Sequence, residues 1–388
     1  LPAAQDQKNV CTFAIYFSYT NKKTKDLAVD LHDYVVGSPF TINFDDGTKR
    51  LMTMNSSAGI YNIPNCDFTR VAEDGTRLIT YHTNNYGFRM DYDITLEKPA
   101  KKKRVLVLGD SFAFGVGIDQ NETVSYVLQQ FLGNTTEVLN GAIQGLSSLQ
   151  SYALYYNEYA ILDADVVILF HYMYDITGNI EARTDYHRPA YDPVQGSVII
   201  AERPLIVKKA FAANHSKTSR FLHTGGLIDK NRDLFLNRRT RMGKNAKDAD
   251  VLQTYKKELD PLMEAAFAFN CQMVLDSFGR FAEQRNQTFL LAYIPAHIEL
   301  DEPYFRRTVK SYMDVSADDF DLQRVRNAVA ECATDQRLEY IDLTPYFIEH
   351  TEKKPLEWYN APGSHWSPKA TNLTAHIVYD WMKKEGVI

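Results

Sequence analysis

The 388-residue chain predicts an α/β protein, a parallel sheet covered by helices on both faces. Three observations carry that expectation. Short aliphatic and β-branched runs, the pattern of strands buried on both faces, recur at residues 105–108, 166–170 and 289–294. Longer stretches with helical periodicity separate them. The first run stops abruptly at Gly109-Asp110-Ser111 and the last at Pro295, as a strand does when it hands over to a crossover.

In chain order, residues 1–100 differ in character from the remaining residues. Mixed stretches at 13–19 and 41–44, a helix over 27–36, and turns at Asp45-Asp46-Gly47 and Glu73-Asp74-Gly75 predict a small N-terminal α+β extension that packs on the main domain. It closes with Asn85-Tyr86-Gly87-Phe88-Arg89 and a charged linker to Lys103. The main domain takes up residues 101–388. Its strand at 105–108 is followed by a helix at 122–132, a strand at 138–139, a helix at 149–159 and the strand at 166–170. Residues 180–250 are polar and poorly periodic and read as an insertion, with Arg238, Arg239, Arg241 and Lys244 its most basic part. A helix over 252–285, the strand at 289–294, a helix at 322–334, a strand at 339–343 and an amphipathic helix at 371–384 complete the domain.

Composition narrows the partners. The net charge of −6 gives no reason to expect nucleic acid or an anionic membrane surface, and the basic run from Lys101 to Arg104 reads as a solvated approach to a strand. No apolar stretch approaches spanning length. The first residue is Leu1, which predicts a removed signal peptide or membrane anchor, hence a secreted, periplasmic or cell-envelope protein with a possible membrane tether. Sequons at Asn55, Asn121, Asn134, Asn214, Asn286 and Asn372 permit glycosylation. The four cysteines lack CxxC spacing, which argues against a metal site; they read as disulfides Cys11–Cys66 and Cys271–Cys332, or as four buried thiols. No cofactor is implied, because Gly109, Gly115 and Gly117 do not form a dinucleotide fingerprint and the histidines lack metal-ligand spacing.

Ser111 then becomes the organising residue. A serine on the turn after a buried parallel strand stands at the carboxyl edge of the sheet, where open α/β folds place their chemistry. Gly109-Asp110-Ser111-Phe112 resembles the first block of the GDSL/SGNH hydrolase superfamily, and three further blocks follow in that family's order: Asn140 to Gly145, Tyr174-Asp175, and Gly363 to Ala370 around His365. The resemblance covers about residues 80–388 without the insertion, and it implies a flavodoxin-like three-layer sandwich. Ser111 would be the nucleophile and His365 the general base. The N–H groups of Ser111 and Gly145 would form the oxyanion hole, and Asp110 would brace the turn.

Two positions depart from the family pattern. Tyr174 stands where the family has an asparagine donor, with His171 a second candidate donor and Asp175 retained. Pro362 and Gly363 stand where the family's aspartate would be, and Glu357, Asn360, Asp342 or a backbone carbonyl are the candidates to orient His365 in its place. The Asn85–Arg89 segment and Trp366 look like exported bacterial members, the cell-envelope esterases and polysaccharide O-acetyltransferases. The implied function is a serine-dependent esterase acting on an O-acyl ester, O-acetyl above all, of a small molecule or carbohydrate. The alternatives are a polysaccharide O-acetyltransferase and a catalytically impaired binding protein on the same fold.

Overall fold

The structure, a computed structural model, describes residues 14–18, 36–41, 52–53, 60–72, 77–180, 189–192, 197–200, 252–312, 316–351, 355–360 and 365–388. Five parallel strands form the central sheet: β1 (Lys103–Gly109), β2 (Thr136–Asn140), β3 (Val166–Tyr172), β4 (Thr288–Ile294) and β5 (Glu339–Asp342). Their spatial order is β2-β1-β3-β4-β5, the flavodoxin-like order, and the α/β class and parallel sheet expected from the sequence are both present.

The strands read as continuous apolar runs because both faces are covered. Leu106 and Leu108 of β1, Val167 and Leu169 of β3, and Leu291 and Tyr293 of β4 share one core with α3 (Ser148–Leu154), α4 (Tyr174–Ile180), α5 (Pro261–Phe269), α6 (Asp276–Gln284) and α7 (Arg324–Asp335). Val105, Val107, Val166, Ile168, Phe170, Leu290 and Ala292 point the other way, against α2 (Val124–Leu132) and α8 (Pro368–Lys384).

Several elements differ from the sequence expectation, each for a local reason. A one-turn helix, α1 (Ser111–Phe114), starts directly at the serine; its Phe-Ala-Phe residues are all buried, so no polar face betrays it in the sequence. The helix expected from residue 252 begins at Pro261, where Asp260 caps it by accepting from Met263 N at 2.9 Å. The helix expected over 149–159 turns π-helical at Tyr155–Tyr159, and a second π segment, Asn270–Leu275, joins α5 to α6. The helices Glu302–Tyr312 and Thr344–Glu349 have no counterpart in the sequence expectation. Arg104 is not a solvated residue: it is buried, paired with Glu137 at 2.9 Å, and donates to the carbonyls of Leu162, Leu96 and Thr95.

Before the sheet, Cys66–Val71 and Leu78–Thr83 form an antiparallel ribbon, and Ala14–Ser18 pairs with Val36–Thr41; the turn expected at Glu73-Asp74-Gly75 lies outside the described residues. Val36 opens a strand; the rest of the helix expected over 27–36 and the turn Asp45-Asp46-Gly47 lie outside the described residues. From the insertion, Pro189–Asp192 and Ser197–Ile200 form a ribbon, while the basic cluster from Arg238 to Lys244 falls outside the described part. Cys271 and Cys332 are joined in a disulfide. Cys66 is also disulfide-bonded, and Cys11 lies outside the described residues. The sequon residues Asn121, Asn134, Asn286 and Asn372 are exposed.

Candidate active site

Three neighbouring strands deliver three candidate blocks to one edge. Ser111 follows β1, Gly145 lies in the turn after β2, and Tyr174 follows β3, which flanks β1 on its other side. The turn that carries Ser111 depends on Gly109. Its φ is +141°, and a Cβ there would stand 2.8 Å from the Phe170 carbonyl oxygen and 3.0 Å from Ala113 Cβ. Only glycine lets β1 approach β3 this closely before the chain turns. Asp110 then caps α1, its Oδ1 accepting from Phe112 N at 2.8 Å.

The decisive contact joins residues 254 positions apart: His365 Nε2 lies 2.7 Å from Ser111 Oγ. His365 is held by its backbone. Tyr359 and Trp366 form an antiparallel bridge, Asn360 N donates to the His365 carbonyl at 2.9 Å, and Ser367 N donates to the Trp358 carbonyl at 2.9 Å. Pro368 at the first position of α8 ends this segment and starts the helix that packs on α2. The sheet order, with these blocks at one edge, is the flavodoxin-like α/β arrangement expected from the sequence.

No protein-family model and no curated protein matches the chain. Among solved structures, the chain is similar to TesA, at 14% identity over 73% of this chain and 99% of that one, with a TM-score of 0.38. A lipase/acylhydrolase from Enterococcus faecalis is 10% identical over 73% and 96% of the two chains, with a TM-score of 0.38. The acetyl xylan esterase AlAXEase is 13% identical over 71% and 98%, with a TM-score of 0.36. Identity this low assigns no residue; the assignments come from the geometry of the site itself.

The other candidate residues fall into two groups. Glu357 pairs with Lys369 at 2.9 Å, and Asn360 Nδ2 donates to the Trp366 carbonyl at 2.9 Å. Asp342 accepts from Thr344 N at 2.8 Å and caps the turn after β5. Tyr174 opens α4, its ring lying against Gly178. Gly145 takes φ +72°, a conformation that favours glycine. Of the aromatic residues near the site, Phe112, Phe114 and Trp366 are buried in the core, while Tyr172 and Tyr174 stay partly exposed.

Behind the serine lies a buried polar network that the sequence did not reveal. Asp110 is buried, which pushes its carboxyl up to about 6, with the Phe112 N–H and nearby His365 pulling it back down. Asp175 accepts from Tyr172 N at 2.7 Å, and its burial, together with the charge of Asp110, raises its pKa well above the usual carboxylate range. His171 is buried beside it, Nδ1 lying 3.9 Å from Asp175 Oδ2 and Nε2 3.1 Å from Asn270 Nδ2. Asn270 Oδ1 in turn accepts from Ser148 Oγ at 3.0 Å and Asn179 Nδ2 at 2.9 Å. His171 therefore faces Asn270 on one side and Asp175 on the other. Among the described residues, no group of three or more His, Cys, Asp or Glu side chains is placed to hold a metal ion.

His171 makes a pH prediction. Burial holds its imidazole down at about 4, whereas the unfolded chain binds the proton near the ordinary value of 6.5. Stability owed to this group is full above 6.5 and is lost as pH falls from there towards 4. Replacing it as His171→Gln removes that dependence. In urea titrations, the parent is expected to lose up to about 3 kcal/mol relative to the variant between pH 7 and pH 4. Asp110, with its raised pKa, acts in the opposite direction in the same window, but it is common to both proteins and cancels in the difference. A gap that stays constant with pH would refute the assignment.

Proposed function

We propose that the protein is a serine-dependent esterase that acts on an O-acyl ester through an acyl-serine intermediate. The 2.7 Å contact between His365 Nε2 and Ser111 Oγ at the carboxyl edge of β1 carries this reading, because it is the distance a general base needs to take the hydroxyl proton. Ser111 Oγ attacks the ester carbonyl carbon as its proton passes to Nε2. The N–H groups of Ser111 and Gly145, with the Tyr174 hydroxyl in the asparagine's place, hold the negative oxygen. His365 then protonates the departing alkoxide, and a water, deprotonated by the same imidazole, releases the acid.

An O-acetyl group on a carbohydrate is the substrate class we favour, since Tyr172 and Tyr174 are partly exposed rings at this edge that suit sugar stacking. The Cys271–Cys332 bridge fits an exported protein.

Labelling with a fluorophosphonate, read by peptide mass spectrometry, tests the proposal. The expected adduct is on Ser111 and is absent from Ser111→Ala. A folded parent protein that takes no label would instead be a binding protein on this fold. Release of free acetate in the presence of acceptor sugars, rather than its transfer, separates the esterase from an O-acetyltransferase.

A further inference from the structure

The two fully buried arginines of the described residues are unlike each other. Arg104 faces Glu137, whereas no carboxylate of the described residues stands within ion-pair distance of Arg89. Burial lowers the Arg89 pKa to about 10, so its charge is held at a cost that must be met elsewhere. Its guanidinium makes contacts of another kind. Nη1 donates to the Phe114 carbonyl at 3.0 Å and to the Gly115 carbonyl, and Nη2 donates to the Ile118 carbonyl at 2.6 Å. The Tyr81 ring lies over the group at 4.5 Å and the Phe114 ring at 5.2 Å.

Those three carbonyls belong to the chain leaving α1. A helix of four residues has too few internal hydrogen bonds to hold its own direction. Its first residue is Ser111, whose partner His365 comes from a distant segment, so the angle of α1 sets the Oγ–Nε2 distance. The surroundings are built to the same end. Gly117 N donates to the Tyr81 hydroxyl at 3.0 Å, and Arg89 N donates to the Asn140 carbonyl at 3.3 Å. Asn140 Nδ2 donates back to the Ala113 carbonyl at 3.3 Å. A Cβ on Gly115 would stand 2.8 Å from Arg89 Nη1, so the loop's glycine makes room for the guanidinium.

We propose that Arg89 is a positioning residue for the nucleophile: it gathers the carbonyls of Phe114, Gly115 and Ile118 and so fixes the one-turn helix that presents Ser111 Oγ to His365 Nε2. The inference rests on the reading of Ser111 as nucleophile. Lysine keeps the charge but offers a single point in place of a planar fork, so it can satisfy fewer of these carbonyls at once.

The test compares the parent with Arg89→Lys at temperatures where both are folded by circular dichroism. Fluorophosphonate labelling rates and kcat for a short acyl ester are expected to fall about 10- to 100-fold in Arg89→Lys, with KM nearly unchanged, as for a misplaced reacting atom. Amide exchange in the 112–118 peptide should quicken. A folded Arg89→Lys protein with the parent's labelling rate and kcat, even one that melts earlier, overturns the inference while leaving the nucleophile intact. A parent that takes no label overturns the nucleophile reading and this inference with it. If Arg89→Lys does not fold, Tyr81→Phe serves in its place, because it removes only the hydroxyl that receives Gly117 N. A several-fold loss of kcat at constant KM supports the clamp, and an unchanged kcat overturns it.

Discussion

His365→Ala is expected to lower kcat for an acyl ester by about 10⁴-fold or more, with little change in KM and a parallel loss of fluorophosphonate labelling. The serine hydroxyl is a weak nucleophile until its proton has somewhere to go, and Nε2 at 2.7 Å is the acceptor the structure provides. In enzymes with a complete triad a carboxylate stabilises the imidazolium. Here Glu357 pairs with Lys369, Asn360 donates to the Trp366 carbonyl and Asp342 accepts from Thr344 N. Asp110, buried at the cap of α1, lies near enough for His365 to lower its carboxyl pKa. Kinetics of the purified variant with p-nitrophenyl acetate would check the expected loss. Parent-like turnover in a folded His365→Ala protein would remove the imidazole from the mechanism.

Much of this was legible in the sequence, and the reasons are physical. Both faces of β1, β3 and β4 are buried, so their sequences are uninterrupted apolar runs that stand out from amphipathic helices. The Ser111–His365 pairing was readable from the order of the blocks, since the turn after β1 and the start of the last helix meet at the same sheet edge. What stayed hidden depends on tertiary partners. Glu357 is as good a third member as any in the sequence, and only the fold shows that Lys369, in the first turn of α8, claims it. The Asn85–Arg89 segment stands out, but the acceptors of Arg89 are backbone carbonyls, which leave no mark in a sequence. A charged residue following a buried Gly-Phe pair was the available signal. The π segments at Tyr155–Tyr159 and Asn270–Leu275 are equally silent, because an extra residue in one turn barely disturbs a 3.6-residue period.

Removing the disulfide as Cys271→Ser with Cys332→Ser is expected to cost about 4 kcal/mol of stability, from the closure entropy of its long loop. The two cysteines are 61 residues apart, and the bridge ties the π segment between α5 and α6 to α7 on the same side of the sheet. Its effect should not stop at global stability. Asn270, the residue before Cys271, is the hub at which His171, Ser148 and Asn179 meet. Asn179 also accepts from Leu149 N at 2.9 Å, so the hub holds the first turn of α3, just after Gly145, against the helix that begins at Tyr174. Loosening the π segment frees both supports of the expected oxyanion hole at once. Local opening costs less than global unfolding. The doubly substituted protein is therefore expected to lose kcat at temperatures well below its melting transition, with amide exchange rising first in residues 145–149 and 174–180. A variant that simply melts earlier, with unchanged kcat below the transition, would show that the bridge serves the fold and not the site.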